Sequence, residues 1–239
     1  MGLFDLPSPV FDYVDGALLG TLAPALRIVI WAALGALLSM ELYRVLSPQA
    51  KAKALKLELR EAQQKVASFD GEFEDAWPLI KRMLGLAFKR IFLIFPSTLI
   101  ASLPLLFLVV WLDSSYGHRF PEFGEPASVE APAPFEGKWI DRGEDGTPRA
   151  QVLDKGKVVV DTPLKAAIPV VHKWHWWNLL LGNRAGYLTG DAPIEQISIG
   201  LPQRDIFTTG PDWVRGWAPA FFLAVLLFAM TLKWIRRIE

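Results

Sequence analysis

The chain has 239 residues, of which 52% are hydrophobic and 21% are charged. Its mean hydropathy is +0.27, so the apolar and charged residues must be separated into blocks. The net charge of zero gives no sign of nucleic-acid binding. Because the chain has no cysteine, disulfides, thiolate metal sites and cysteine catalysis are excluded, and a domain in an oxidising compartment is allowed.

The first apolar block predicts a transmembrane helix over residues 18–43, after an external N-terminal segment at 1–17. One basic residue, Arg27, lies about ten residues into this block. A charge at such a depth costs several kcal/mol unless it faces water, protein or a polar groove. Arg27 is therefore the first candidate functional residue. No basic stretch precedes the block and no cleavage motif follows it, so we do not expect a removed signal peptide.

Residues 44–90 predict a cytoplasmic helical hairpin. After a capping Ser47 and Pro48, apolar residues recur at alternating steps of three and four, the pattern of paired helices. Asp70-Gly71 interrupts this pattern, which then resumes and runs into the second span. The first predicted seam is Ala52, Leu55, Leu59, Ala62, Val66 and Phe69, and the second is Phe73, Trp77, Ile80, Leu84, Ala87 and Ile91. The candidate contact residues of the hairpin are Lys56, Arg60, Phe69, Gly71, Phe73 and Trp77.

The hairpin has two further interpretations besides a contact arm. It could be a spacer that simply packs against itself. Its basic face could also lie against anionic lipid headgroups, at about 1 kcal/mol for each Lys or Arg near the surface.

Two more apolar blocks predict transmembrane helices at 91–112 and 215–235, followed by a tail at 236–239. Lysine and arginine are concentrated in residues 44–90 and after the third span, whereas acidic residues outnumber them in 113–212. The positive-inside rule then places the N-terminus and residues 113–214 outside, and the hairpin and the C-terminus in the cytoplasm. We expect an integral protein of a bacterial inner membrane.

The external segment at 113–214 predicts a small, mainly β domain. It begins with a proline-rich linker or surface strap at 121–134. The strand candidates are Ala150–Leu153 and Val158–Asp161 around a glycine-containing turn, the stretch around Ile168–Val171, and Ile194–Leu201.

Aromatic residues cluster near the membrane boundaries of this domain. His172 and His175 suggest a metal site, but they lack the spacing of a zincin and a third ligand nearby. Tryptophan is instead typical of the belt at headgroup depth. The predicted belt residues are Trp174, Trp176, Trp177, Trp213 and Trp217. No segment matches a hydrolase elbow, a P-loop or a dinucleotide fingerprint, so we expect no enzyme, cofactor, metal or small-molecule substrate.

The order of an Arg-bearing first span, a basic helical hairpin, a second span, an external segment and a third span resembles the YidC/Oxa/Alb superfamily of membrane protein insertases. The resemblance is closest to its reduced three-span members, the archaeal YidC-like proteins and the corresponding subunit of the endoplasmic-reticulum membrane complex. It rests on Arg27, the hairpin from Pro48 to Arg90, and the span 91–112. The implied fold is mostly α, with three spans, a cytoplasmic hairpin and an external β domain.

The resemblance implies a hydrophilic groove that lets short client segments enter the bilayer, with the hairpin receiving the client. The implied groove residues are Arg27, Ser97, Thr98, Ser102 and Thr231. The partners would be the lipid bilayer and client membrane proteins. In this mechanism Arg27 has no acidic neighbour.

Two alternatives remain open from the residues alone. A non-catalytic scaffold of an envelope complex would use its external domain to hold partner subunits and would pair Arg27 with an acid on another chain. A sensor would bind a ligand outside and transmit the change through the hairpin.

Overall fold

The computed structural model describes residues 2–122, 124–125, 127–143 and 145–236. Over these ranges the protein is mostly helical, with a small β region between the second and third long helices. The helices are α1 (Ser8–Tyr13), α2 (Pro24–Leu46), α3 (Gln49–Ala67), α4 (Phe73–Tyr116), α5 (Asp212–Arg215) and α6 (Trp217–Arg236). By length and composition, α2, α4 and α6 can each cross a membrane. The coarse fold class is therefore confirmed, while residues 237–239 of the predicted tail lie outside the described residues.

The first long helix begins later than predicted, at Pro24 instead of residue 18. Proline favours the first helical position because the amide hydrogen it lacks has no partner there. Before it, Val14–Leu18 forms a π-helical turn, and a side chain on Gly20 would lie 2.2 Å from the Gly16 carbonyl oxygen. This close approach requires glycine and separates the N-terminal segment from α2. Arg27 therefore lies in the first turn of the helix and not ten residues inside it.

The predicted hairpin forms from α3 and the first half of α4. Ser47 and Pro48 connect α2 to α3, and the N-cap is Pro48 without a side-chain hydrogen bond, so Ser47 does not cap the helix as predicted. Residues 52–56 of α3 line one cavity with Arg90 and Ile94. Residues 58–65 line another cavity with Leu79 and Arg82. The two helices therefore run antiparallel.

The α3 seam packs as predicted, but the α4 seam was placed on the wrong face. Leu55 and Ala62 are only 8% and 7% exposed. On α4, by contrast, four residues of the predicted seam are exposed, namely Phe73, Trp77, Leu84 and Ile91. The partly buried positions are Ala76, Leu79, Ile80, Met83, Leu86, Ala87 and Arg90. Two apolar stripes run along α4 about one position apart, and periodicity alone cannot tell which one faces α3.

The region between α4 and α6 holds two three-stranded antiparallel sheets, with strand orders β1-β6-β5 and β2-β3-β4. The strands are β1 (Val129–Glu130), β2 (Glu136–Ile140), β3 (Arg149–Asp154), β4 (Lys157–Pro163), β5 (Val170–His172) and β6 (Gln196–Ile199). Lys155 and Gly156 form the β3–β4 turn with φ of 49° and 80°, the left-handed values that a tight hairpin requires. All four predicted strand regions contain strands, and β1 and β2 were not predicted.

The proline-rich segment is fastened to this β region. Arg119 binds Glu125 through two hydrogen bonds of 2.8 and 3.2 Å, and β1 pairs with β6. Of the two interpretations, the segment is thus a surface strap over its described residues; Phe123 and Pro126 lie outside them.

The chain divides into two compact units. The first comprises the residues up to Ala32 together with Leu106–Val225, and the second comprises Ala33–Leu105 together with the residues from Leu226 onward. The cluster around Arg27 belongs to the first unit and the hairpin belongs to the second.

Candidate functional site

Arg27 forms a buried ion pair with Asp15 of the N-terminal segment. Its Nε donates to Oδ1 of Asp15 at 3.1 Å, its Nη2 donates to the other carboxylate oxygen, and the same Nη2 reaches the Asp15 carbonyl oxygen at 3.2 Å. The two side chains are 15% and 10% exposed. The guanidinium and the carboxylate thus neutralise each other inside one chain.

Two aromatic donors complete the shell of the Asp15 carboxylate. Trp31, one helical turn beyond Arg27, donates from Nε1 to Oδ1 at 3.0 Å. The Tyr116 hydroxyl at the end of α4 lies 2.9 and 2.8 Å from the two oxygens. The guanidinium carbons of Arg27 and Arg204 lie 5.7 and 4.8 Å from the centre of the Tyr116 ring, within cation–π range. Arg27, Trp31 and Tyr116 together give this carboxylate four donor groups, which fix its position.

A second polar contact lies beside the first, at Asp12. One Asp12 oxygen accepts from Trp111 Nε1 at 2.8 Å and the other accepts from Arg184 Nη2 at 2.5 Å. Phe11, Trp31 and Trp111 pack between the two acids with ring centres 5.1 to 5.5 Å apart. This arrangement, which we call the Asp15 cluster, connects the N-terminal segment, the start of α2, the end of α4 and the loop that carries Arg184.

The sequence-based expectation that Arg27 lacks an acidic partner is wrong. The partner was visible in the sequence, because Asp15 lies twelve residues upstream in a segment without lysine or arginine. A lone arginine beside an apolar block needs a counter-charge, and the nearest acids of that segment were the candidates. Nothing in the spacing singled out Tyr116 or Trp31, which tertiary packing brings to the carboxylate.

The other predicted groove residues make local hydrogen bonds within the second unit. Buried Ser97 donates to the carbonyl oxygen of Leu46, the last residue of α2, at 3.1 Å. The remaining three donate to carbonyl oxygens of their own helices: Thr98 to Ile94, Ser102 to Leu99 and Thr231 to Leu227. Such bonds satisfy the hydroxyls without a client or water.

The hairpin tip exposes aromatic side chains. Phe69, Phe73 and Trp77 are 37%, 70% and 52% exposed, and the last two rings are 6.2 Å apart. Gly71 lies against the Phe69 ring, where a β-carbon would come within 2.7 Å of it. The predicted contact residues Lys56 and Arg60 lie on α3, and Lys56 lines a cavity with Arg90.

One exposed apolar face extends from this tip along α4. Its members follow helical spacing and we call them the α4 stripe: Phe73, Trp77, Leu84, Phe88, Ile91, Phe92, Phe95 and Leu99. The helix between them is continuous from the tip into the apolar span, although it contains Pro78, Pro96 and Pro104. Exposed Lys81 lies on the same face between Trp77 and Leu84, so the stripe has two apolar parts, one at the tip and one from Leu84 into the apolar span.

Four of the five predicted belt tryptophans are exposed: Trp174, Trp176, Trp177 and Trp213. Trp217 is only 8% exposed and packs on Phe221 with ring centres 6.0 Å apart, so it cannot face headgroups as predicted. Leu179, Leu180 and Leu181 extend the exposed apolar surface beyond the Trp176–Leu179 turn. This surface has the composition expected of a segment at the membrane interface.

The two histidines of the same segment take part in ring packing. His172 lies 4.8 Å from Trp177, 5.7 Å from His175 and 5.7 Å from Tyr187 between ring centres. Its Nδ1 is 2.6 Å from the Lys173 carbonyl oxygen, so that nitrogen carries a proton and cannot ligate a metal. His172 also lines a cavity of about 420 Å³ together with His118. Burial lowers the pKa of the His118 imidazole, and the negative charge of Asp113 raises it by a smaller amount.

No protein-family model matches this chain, and no curated protein or solved structure is similar enough to it to count as a match.

Proposed function

We propose that this protein is an insertase-like membrane protein biogenesis factor that assists short client segments in entering the bilayer. The site lies on the hairpin and the α4 stripe rather than on an open groove at Arg27. The proposal places the hairpin in the cytoplasm of a bacterial inner-membrane protein, in keeping with the distribution of lysine and arginine.

The exposed apolar side chains of the α4 stripe, at the hairpin tip and from Leu84 onward, are the observation that carries this proposal. Large exposed apolar side chains on a polar arm mark an interaction surface. An apolar client helix can lie along such a face with its own residues at i, i+3, i+4 and i+7. Burial of client surface at about 25 cal/mol per Å² supplies the driving force without a nucleotide.

Arg27 has a different role in this mechanism from the one implied by the resemblance. Because Asp15 neutralises it, Arg27 supplies no net charge to a client while the pair is closed. It holds the outer end of α2 against the N-terminal segment and Tyr116. Client entry through the span then depends on the exposed apolar faces of the helices.

A photocrosslinking amino acid at Trp77 tests the proposal in cells. We expect it to capture many nascent membrane proteins with short translocated tails. Asp75 provides the matched control, since it is exposed at the same tip but lies about half a turn from the stripe. Equal capture from both positions, or no capture of nascent chains from Trp77, contradicts the proposal.

A scaffold of an envelope complex is the second candidate. It is favoured by the exposed apolar surface of Trp174, Trp176 and Leu179–Leu181 on the external region. The same experiment separates the two candidates, because a scaffold predicts capture of one stoichiometric partner, and from Trp176 in preference to Trp77.

A further inference from the structure

A basic cavity lies where α2 ends and α3 begins. It has a volume of about 310 Å³. Its walls include Tyr43, Gln49, Lys53, Lys56, Arg90 and Ile94. None of the described residues that line it is acidic, so three cationic side chains face one small space. Like charges gathered in this way favour an anionic occupant.

Two of these cations have no counter-ion in the structure. Neither Lys56 nor Arg90 forms an ion pair within the described parts of the chain. The side-chain amide nitrogen of Gln49, Nε2, is buried and has no hydrogen-bond acceptor among the described residues. A buried donor without an acceptor destabilises the protein, which favours an occupant rich in acceptor oxygens.

An apolar groove adjoins the basic cavity and shares two of its walls, Arg90 and Ile94. The groove has a volume of about 460 Å³, and its other walls are Leu59, Ala87, Ile91, Phe95 and Thr98. It extends from the hairpin to the first residues of the apolar part of α4. A free phosphate would need only the basic cavity, and a neutral acyl chain would need only the groove.

We infer that the two cavities together bind one anionic glycerophospholipid, with its phosphate beside Lys56 and Arg90 and an acyl chain against Ile94 and Ala87. Basic pockets between membrane helices at their polar ends recognise anionic headgroups by this charge complementarity. The bound lipid wedges the base of the hairpin against the end of α2. Ile91 and Phe95 belong both to the groove and to the α4 stripe, so the lipid and a client helix would share these two side chains.

Lipid retention by the purified full-length protein tests the inference. After delipidation, native mass spectrometry compares binding of phosphatidylglycerol and phosphatidylcholine with the same acyl chains. We expect the wild-type protein to prefer phosphatidylglycerol. The double variant Lys56→Gln/Arg90→Gln should lose that preference. We expect the ratio of phosphatidylglycerol to phosphatidylcholine binding to fall about fivefold for each cation removed. Circular dichroism checks that the helices remain.

The matched control is Lys51→Gln/Lys89→Gln, which removes the same charge from exposed positions of the same two helices outside the cavity. It should retain the preference within about twofold, since neither of these side chains lines the cavity. Equal loss in both variants would show diffuse surface attraction and overturn the proposed site.

A groove variant and a competitor separate a lipid from a free phosphate. Ala87→Leu narrows the groove and should weaken phosphatidylglycerol binding while the cations remain. Inorganic phosphate at millimolar concentration should not displace the lipid. Displacement by phosphate together with unchanged binding in Ala87→Leu would assign the cavity to a free anion and contradict the lipid site.

Discussion

At the scale of single residues, the Asp15 cluster shows how the chain accommodates a charge beside an apolar helix. Removing two charges from water is costly, and their attraction offsets that cost only when further hydrogen bonds satisfy the remaining atoms. Trp31 and Tyr116 provide those bonds. Loss of one partner therefore leaves a buried, uncompensated charge, which is worse than the loss of both.

Substitutions of the pair should be strongly non-additive. Arg27→Ala leaves the Asp15 carboxylate without its cation and should destabilise the first unit by about 3–5 kcal/mol. The double variant Asp15→Asn/Arg27→Gln removes both charges and should be markedly more stable than Arg27→Ala. Thermal unfolding in detergent of the wild-type protein, Asp15→Asn, Arg27→Gln and the double variant measures each term of the cycle. Strictly additive effects would show that the two residues act independently.

At the scale of elements, the hairpin rests on the α3 seam. Leu55 is only 8% exposed, whereas Leu57, two positions later on the same helix, is 57% exposed. Both are leucines in one helix, so their truncation changes helix propensity equally.

Truncation of the two leucines should have very different consequences. Leu55→Ala should destabilise the hairpin by about 2–3 kcal/mol because it removes buried contacts and leaves a cavity. Leu57→Ala should change stability by about 0.5 kcal/mol or less. Limited proteolysis of the turn at 68–72 in the membrane-bound protein measures the stability of the hairpin in both variants. If the turn is equally protected from protease in the two variants, the α3 seam has been assigned to the wrong face of the helix.

Periodicity and turn chemistry were enough to predict most elements. The α3 seam, the β3–β4 hairpin and the three apolar helices all follow from local patterns. The face of α4 was misassigned because that helix is apolar on two neighbouring faces, and the start of α2 was misplaced because the mostly apolar residues 19–23 are not helical. The Asp15 cluster joins residues up to 172 positions apart, and such contacts depend on tertiary packing.

At the scale of the whole molecule, the account requires the hairpin and the β region to lie on opposite sides of one membrane. The chain contains no cysteine, so single cysteines can report topology without a background. Asp70→Cys, at an exposed position of the hairpin turn, should react with a membrane-impermeant maleimide only after the cell is opened. A side chain at Gly156 would disturb a left-handed turn, so Asp154→Cys, two residues earlier, is the better probe of the β region. This cysteine should react with the maleimide in intact spheroplasts. Labelling of both cysteines from the same side would refute this topology.

The α4 stripe gives the whole molecule its proposed activity, and reconstitution tests it most directly. Purified protein in liposomes is mixed with a newly made single-span client that has a short translocated tail, and tail protection from protease is measured. We predict that the wild-type protein raises insertion above empty liposomes. Phe73→Ser/Trp77→Ser should abolish most of the gain, and Glu74→Ser/Asp75→Ser at the same tip should preserve it. Two results would contradict the proposed activity. The wild-type protein could give no more insertion than empty liposomes, or a folded Phe73→Ser/Trp77→Ser variant could give as much insertion as the wild-type protein.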